Sequence, residues 1–529
     1  MQSALTRFPW FAPLLALYPL LYIAVANPGQ TEPGSVAIVA IVAIAKAFAL
    51  LGILRFALST WNRAGLGVTW FSLLFYAYGP VNGWWLERML AQMEQEAARP
   101  DWIAGNPQLL QSALWVILLL LGLTALRRFS DPAVNRVTGA ANVMSFLLMG
   151  FLAVQWASHA SGSKSADSEP ATGAGPVASM RLSAPAATRD IYYIILDGYA
   201  RADTLANYYG FDNAPFLDGL RARGFQVSQA SNANYYWTFL SLASSLNFEY
   251  MQPMLGAAFD PASTDPGSAY QLLRDNRAAK FLQARGYRFV QLQSTWDGTG
   301  TNPFADEFIP CDAGLFESEY LRAIADASWL RALNARASMD VANCHLHNLE
   351  TLAEQAKKPG PKFVFTHFVQ PHHPYLFDRE GHVLRRANLS DQFQFQKRLW
   401  EQRQPYRDQL IYMNGRITTV IDRLVAESAR PPIIILQSDH GPNLLTGLPL
   451  PEQRRIRMAN LAAFYLPGAP GKLMPDDETP VNQFRRIFNQ YFNAGLPLLP
   501  DRYFASTYLR PYELIEVDTR GVELTPPVK

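Results

Sequence analysis

Hydropathy divides this chain in two, and no single fold accommodates both halves. Before about Ser158 the sequence is apolar almost throughout, whereas beyond about Asp190 it is mixed like that of a soluble enzyme. Five segments of the first part approach the ~20 residues that a helix needs to cross a bilayer. They are residues 8–26, 36–54, 66–85, 109–126 and 142–156. The first precedes further apolar spans and lacks a clear small-x-small cleavage site, so it reads as an anchor rather than a removable signal. Basic residues occupy alternate loops: Arg7, then Arg55 and Arg63, then Arg127, Arg128 and Arg136. Because Lys and Arg collect on the cytoplasmic side, the N-terminus is expected inside and everything after the fifth span outside. The expectation is a multi-pass inner-membrane protein whose C-terminal domain faces the periplasm or the extracellular side.

Lys46 falls near the middle of the second span, where a charge is costly. Two readings stand: a functional or headgroup-binding cation, or one that pairs with a neighbouring helix or snorkels. Trp84, Trp85 and Trp102 read as interface anchors.

The 529 residues carry a formal net charge of only +2, which gives no case for a nucleic-acid partner. Residues 159–189 are rich in Ser, Ala, Gly and Pro without apolar periodicity and read as a flexible tether. Beyond them, strand-like runs at 191–196, 287–292, 363–368, 433–436 and 461–466 alternate with helical runs at 215–223, 238–246, 278–284, 397–427 and 481–492. That alternation predicts an α/β domain with a mainly parallel sheet covered by helices on both faces. The domain is expected over 190–510, followed by a tail at 511–529. The two cysteines, Cys311 and Cys344, both fall in this half and are either one disulfide or two idle thiols. An outward location favours neither a thiol pool nor its maintenance, which strengthens the disulfide reading.

Two apolar strands end on acids. IYYIIL runs into Asp197, and IIILQ runs through Ser438 into adjacent Asp439 and His440. Open α/β sheets bind ligands at the carboxyl ends of their strands, and two carboxylates with an imidazole make a donor set for a divalent ion. One nitrogen with several oxygens suits zinc or manganese better than calcium. Thr238 opens the helical run TFLSLASSLN. Taken alone it reads as an N-cap. Beside Asp197, Asp439 and His440 it reads as a nucleophile whose alkoxide a metal and a helix N-terminus would favour. His372 and His373, after the strand KFVFTHF, are candidates to protonate a leaving group or neutralise transferred charge. His367 reads as a hydrogen-bonded core residue, and His345 and His347 read as surface. The basic run Arg454-Arg455-Ile456-Arg457 reads first as a solvated face and second as an anion site. Tyr235, Tyr236 and Trp237 shape specificity or pack around the nucleophile.

Together these pieces resemble the alkaline phosphatase superfamily. They are the strand leading to Asp197-Gly-Tyr, Asn234-Tyr-Tyr-Trp-Thr238-x-x-Ser241-Leu, Pro371-His372-His373-Pro374-Tyr375 and Ser438-Asp439-His440-Gly441. The similarity is to its sulfatase-like membrane branch of lipoteichoic acid synthases and phosphoethanolamine and phosphoglycerol transferases, which place five helices before an outward catalytic domain. The resemblance implies one metal held by Asp197, Thr238, Asp439 and His440, with Thr238 the residue that is covalently modified. It implies a substrate contact from His372, with His373, Arg457 and Trp237 as further substrate-binding candidates. There are departures. The first ligand is Asp where lipoteichoic and phosphoethanolamine enzymes use Glu. Asp197-Gly-Tyr-x-Arg201 leans toward the nucleotide pyrophosphatase branch. The Cys/Ser-x-Pro-x-Arg signature of true sulfatases is missing, and no histidine follows His440. A second ion would have to use His372, His373 or Asp378, so a single ion is expected.

The function expected is a membrane-anchored, metal-dependent phosphotransferase or hydrolase. It would act through phosphothreonine on a lipid or envelope glycan. The alternatives are a sulfatase-like phosphodiesterase of extracellular polymers and a catalytically silent sensor of envelope lipids.

Overall fold

The computed structural model describes residues 8–27, 31, 33–81, 107–164, 188–311, 319–384, 400, 402–443 and 447–524, with the backbone alone at 107–110, 159–164, 319, 326 and 332–338. Arg7, Trp84, Trp85, Trp102 and most of the expected tether lie outside the described residues. The chain forms two compact units: Met1–Ser165 with Glu319–Ala335, and Ala166–Ser318 with Arg336–Lys529.

The first unit is built on α1 (Phe11–Ala26), α2 (Pro33–Leu58), α3 (Trp61–Val81), α4 (Pro107–Leu126) and α5 (Asp131–Lys164). Of these, α2 and residues 131–158 of α5 are long and apolar enough to cross a membrane, and α1 and residues 111–126 are shorter apolar helices. Polarity in this unit is the reverse of a water-soluble bundle. Ile41, Ile53, Leu147 and Val154 are exposed, and Phe56 reaches 89% exposure. Gln111, Thr138, Asn142 and Ser145 are buried instead. Asn142 shows why: its Oδ1 accepts from Phe11 N at 2.7 Å and its Nδ2 donates to Phe8 O at 2.9 Å. A polar side chain from α5 thus satisfies the Phe11 N–H that the start of α1 leaves open. Lys46 finds its partner on a neighbouring helix, with Nζ 4.2 Å from the centroid of Phe75 on α3, a cation–π contact.

The second unit is an α/β domain. Its strands are β1 (Ile191–Leu196), β2 (Phe225–Val227), β3 (Arg288–Leu292), β4 (Glu307–Ile309), β5 (Lys362–Phe368), β6 (Ile433–Gln437) and β7 (Ala462–Tyr465), with a separate pair β8 (Tyr503–Ala505) and β9 (Ile515–Val517). The seven-stranded sheet has the order β2-β7-β6-β1-β5-β3-β4. β1 runs parallel to both β5 and β6, β3 to β4 and β5, while β7 is antiparallel to β6 and β2. The main helices are α6 (Thr238–Asn247), α7 (Asn334–Glu354), α8 (Arg403–Glu427), α9 (Leu450–Met458) and α10 (Pro480–Phe492).

The unbroken apolar run of β1 has its cause in this position. Side chains alternate across a strand, and a central strand is covered on both faces. Ile191, Tyr193 and Ile195 pack with Leu242 of α6 and Phe484 of α10. Tyr192, Ile194 and Leu196 pack on the other face with Leu349 of α7 and Leu410 of α8. Burying each such side chain stabilises the fold by roughly 1.5–3 kcal/mol, so no position in the strand tolerates a charge. Parallel β1, β5 and β6 all end at one edge of the sheet, and there the acids and histidines gather.

Residues past 510, expected as a tail, supply β9 and close the small sheet. Cys311 and Cys344 form a disulfide with a Cα–Cα distance of 5.0 Å, which settles their alternatives. His345, expected at the surface, is buried against the rings of Phe368 and Phe377. Helix α7 turns that position inward while His347, two residues on, stays exposed.

Candidate metal centre

Asp197 leaves β1 in a turn that strongly favours glycine. Gly198 has φ +65°, and a Cβ there would lie 2.5 Å from Trp400 Cη2. The turn aims backbone donors at the second acid: Gly198 N donates to Asp439 Oδ1 at 3.1 Å, and Tyr199 N donates to Ser438 Oγ at 2.8 Å. His372 N donates back to the carbonyl of Asp197 at 3.0 Å, which seats the Pro371–Pro374 turn beside the same strand end.

Among the described residues, Asp197, Asp439 and His440 offer ligand atoms that all lie within 4.8 Å of one another, and all three are buried. His440 is held in one tautomer. Its Nδ1–H donates to Gly441 O at 3.0 Å, which leaves the Nε2 lone pair facing the acids. Nε2 is 3.1 Å from Asp439 Oδ2 and 3.7 Å from Asp197 Oδ1. Gly441 is required because a Cβ would meet the carbonyl oxygens of Ile456 at 2.3 Å and Ala459 at 2.6 Å, both at the end of α9.

Thr238 stands at this cluster and is not an N-cap, a correction to the local reading. The capping position belongs to extended Trp237, and Thr238 is the first helical residue of α6. Its Oγ1 lies 3.1 Å from His440 Nε2, and the hydroxyl also reaches the carboxylate of Asp439. Ser241, one turn later, donates to Asp439 O at 2.7 Å and ties the helix to the end of β6.

The electrostatics ask for a cation. Burial, then the charge of Asp197, pushes Asp439 up to about 6. Burial, then the Arg457 guanidinium and His372, holds His440 well below its usual value, so it is neutral. Asp439 Oδ2 accepts no hydrogen bond. Two adjacent carboxylates, a neutral imidazole with its outer N–H satisfied by a carbonyl, and a hydroxyl are a donor set that fits a divalent ion.

His367 belongs to this site, which the strand pattern alone did not reveal. It pairs with Ile195 in the β1–β5 register, so it shares a face with the residue two further along β1, Asp197. Its Nε2 is 3.3 Å from Asp197 Oδ2, and Nδ1 lies 3.0 Å from Thr299 Oγ1. Burial lowers it to about 4, so a neutral imidazole stands beside the carboxylate.

Arg457 is likewise no part of a solvated face. It is buried and donates from Nη2 to His440 Nε2 at 2.9 Å, from Nη1 to Gly441 O and from Nε to Tyr236 O. Its guanidinium carbon lies 5.1 Å from the half-buried ring of Trp237. Arg455, on the other side of α9, pairs with Asp203 and Glu452. His372 is half-buried, edge-on to Trp400 at 4.9 Å. His373, expected to bind substrate, is buried between the rings of His372 and Trp400. Asp378 lies in a turn with Glu380 and His382, a group apart from the Asp197 cluster.

The family model described as Sulfatase matches residues 189–486. Comparison with curated protein sequences gives no match. Similar solved structures include the periplasmic domain of EcEptC from Escherichia coli, at 13% identity and TM-score 0.42, covering 64% of this chain and 95% of that one. Another is the integral membrane lipooligosaccharide phosphoethanolamine transferase A (EptA) from Neisseria meningitidis, at 14% identity and TM-score 0.38, covering 92% and 95%. A third is a protein in the alkaline phosphatase superfamily from Vibrio parahaemolyticus, at 12% identity and TM-score 0.41, covering 67% and 86%. Likeness at this distance assigns no residue.

Proposed function

Since this chain belongs to the sulfatase family, we propose that it is a membrane-anchored, metal-dependent phosphotransferase or phosphohydrolase with Thr238 as nucleophile. The observation that carries the reading is the Thr238 hydroxyl, free of any capping duty, 3.1 Å from His440 Nε2 beside two buried carboxylates. Asp197, Thr238, Asp439 and His440 would hold one zinc or manganese ion. When bound, such an ion supplies Lewis acidity that lowers the hydroxyl pKa and polarises a substrate oxygen.

The chain's own groups do the rest. Thr238 loses its proton to water, and its Oγ1 forms a bond to phosphorus as the P–O bond to the leaving alcohol breaks in line. His372, half-buried, is the group to protonate that alcohol. Arg457, with Trp237 against its guanidinium, offers charge to the phosphoryl oxygens. The phosphothreonine then passes its group to an acceptor sugar or to water. The substrate is a lipid-borne or glycan-borne phosphodiester at the outer face. Support for this comes from helices that turn apolar side chains outward and polar ones inward, the polarity of a bundle solvated by lipid. The alternating basic loops point the catalytic unit to the periplasmic or extracellular side.

One observation favours a second reading. Arg457 already donates to His440 Nε2 at 2.9 Å, so a guanidinium engages the imidazole nitrogen that an ion would use, as a silent, metal-free sensor would require. The test is purified full-length protein incubated with vesicles containing phosphatidylethanolamine and phosphatidylglycerol, followed by mass spectrometry of the peptide bearing Thr238. The proposal requires a phosphoryl adduct on that residue, absent from Thr238→Ala. Undiminished turnover by Thr238→Ala would reject it.

A further inference from the structure

The second half of the chain makes an excursion that hydropathy did not signal. Residues 319–335 leave the α/β unit after β4 and return to it in α7, yet they are part of the first unit. They contain a helix, Glu319–Ala327, and a 3-10 turn, Trp329–Leu333. Tyr320 OH donates to Leu20 O of α1 at 3.1 Å. Tyr320 and Ile324 are buried with Leu20 of α1 and Ala43 of α2. Trp329 Nε1 donates to Ser112 Oγ of α4 at 3.2 Å, and its ring stacks on Tyr78 of α3 at 6.0 Å.

These contacts have a direction. They fall in the halves of the four helices nearer the Ala26 end of α1, the Pro33 end of α2, the Val81 end of α3 and the Pro107 end of α4. Those four ends are the ones that the loop charges place on the outer side. At 1.5 Å of rise per residue, Leu20 lies about 9 Å below the end of α1, Ser112 about 8 Å below the end of α4, and Ala43 about 15 Å below the end of α2. One leaflet of a bilayer's hydrocarbon core is about 15 Å thick.

We propose that residues 319–333 are a half-membrane element that enters the outer leaflet from the outward side and leaves on the same side. The inference rests on the membrane reading given above but on none of its chemistry. Apolar surroundings demand that backbone groups be satisfied within the protein. The break between the two helical pieces meets that demand: Ser328 N donates to Ala325 O, Arg331 N to Ser328 O, and Leu330 N to Ser328 Oγ. Arg322 and Arg331 are each engaged within the protein, so neither meets lipid as a bare charge. Leu330 is 40% exposed and faces acyl chains. The element gives the catalytic unit a second hold on the bilayer, independent of the tether before Asp190. The outward half of the chain would stay on its lipid substrate's surface even if that tether were cut.

Two measurements on the full chain test this. A protease site is placed within residues 168–186, the protein is cut in membranes, and the membranes are washed with alkaline carbonate. The cut catalytic unit stays in the pellet, whereas the Tyr320→Ala/Ile324→Ala/Trp329→Ala variant releases it. Release of the otherwise unaltered cut unit overturns the proposal. Loss of the uncut chain to the wash would instead overturn the membrane reading itself. The second measurement survives a misfolded triple variant. Both native cysteines are bridged, so Leu330→Cys is a unique thiol. In proteoliposomes it reacts with an impermeant maleimide at least about tenfold slower than Ala262→Cys, because a thiolate is disfavoured and the reagent excluded in hydrocarbon. Equal rates overturn the proposal.

Discussion

Replacing Gly198 by alanine separates two costs that the structure locates at the edge of the metal centre. The residue has φ +65°, which costs an L side chain about 1–2 kcal/mol. The added methyl would also lie 2.5 Å from Trp400 Cη2, and forcing such a contact in a packed core costs about 1–3 kcal/mol. The sum is about 2–5 kcal/mol. Gly210 provides the control. It ends the helix Ala202–Tyr209 with φ +57°, and a Cβ there meets nothing nearer than Arg407 Nη1 at 4.0 Å. Gly210→Ala therefore pays for backbone strain alone, about 1–2 kcal/mol. Denaturant unfolding followed by tryptophan fluorescence gives both numbers. Gly198→Ala is expected to be the costlier by about 1–3 kcal/mol, and Trp400→Phe in the same chain should recover part of that excess. Gly198→Ala should also weaken metal binding, because Gly198 N donates to Asp439 Oδ1. Equal destabilisation by the two substitutions would refute the packing argument.

Other expectations follow from separate contacts. His367→Ala removes the imidazole packed beside Asp197 Oδ2 and should lower metal affinity by about 10–100-fold in a chelator competition. Removing the Cys311–Cys344 bridge, with its sequence separation of 33, should cost about 4 kcal/mol on the loop-entropy argument, read as a fall in the unfolding midpoint. Burial lowers His345 to about 3, so below its unfolded value near 6.5 the unfolded chain binds a proton that the folded chain refuses. Its contribution to stability is present above pH 6.5 and falls by about 2 kcal/mol by pH 5, and the difference between wild type and His345→Gln across that range measures it.

The parts of this molecule written in local pattern were legible in its sequence. β1 is an apolar run because both its faces are covered, and the acids after β1 and β6 mark the edge where parallel strands end. Thr238 was legible as a helix start but not as the first helical residue, because the capping position depends on the backbone angles of Trp237. His367 was hidden because its role comes from cross-strand register: nothing in KFVFTHF says which neighbour's acid it will face. The solvated-face reading failed for Arg454 and Arg457 because a run of charges hides its helical phase; at three-residue spacing both turn inward while Arg455 turns out. The excursion at 319–333 escaped because a segment that enters only one leaflet is too short for a spanning window and keeps the polar residues of an ordinary amphipathic helix. β2 and β4, three residues each, are too short to show alternation.

A metal count on the purified full-length protein bears most directly on the centre. Elemental analysis should find one equivalent of zinc or manganese per chain in the native protein and a loss of most of it in Asp439→Asn and His440→Gln. A native chain that binds no divalent ion, with the Arg457 guanidinium left at His440, would contradict the account.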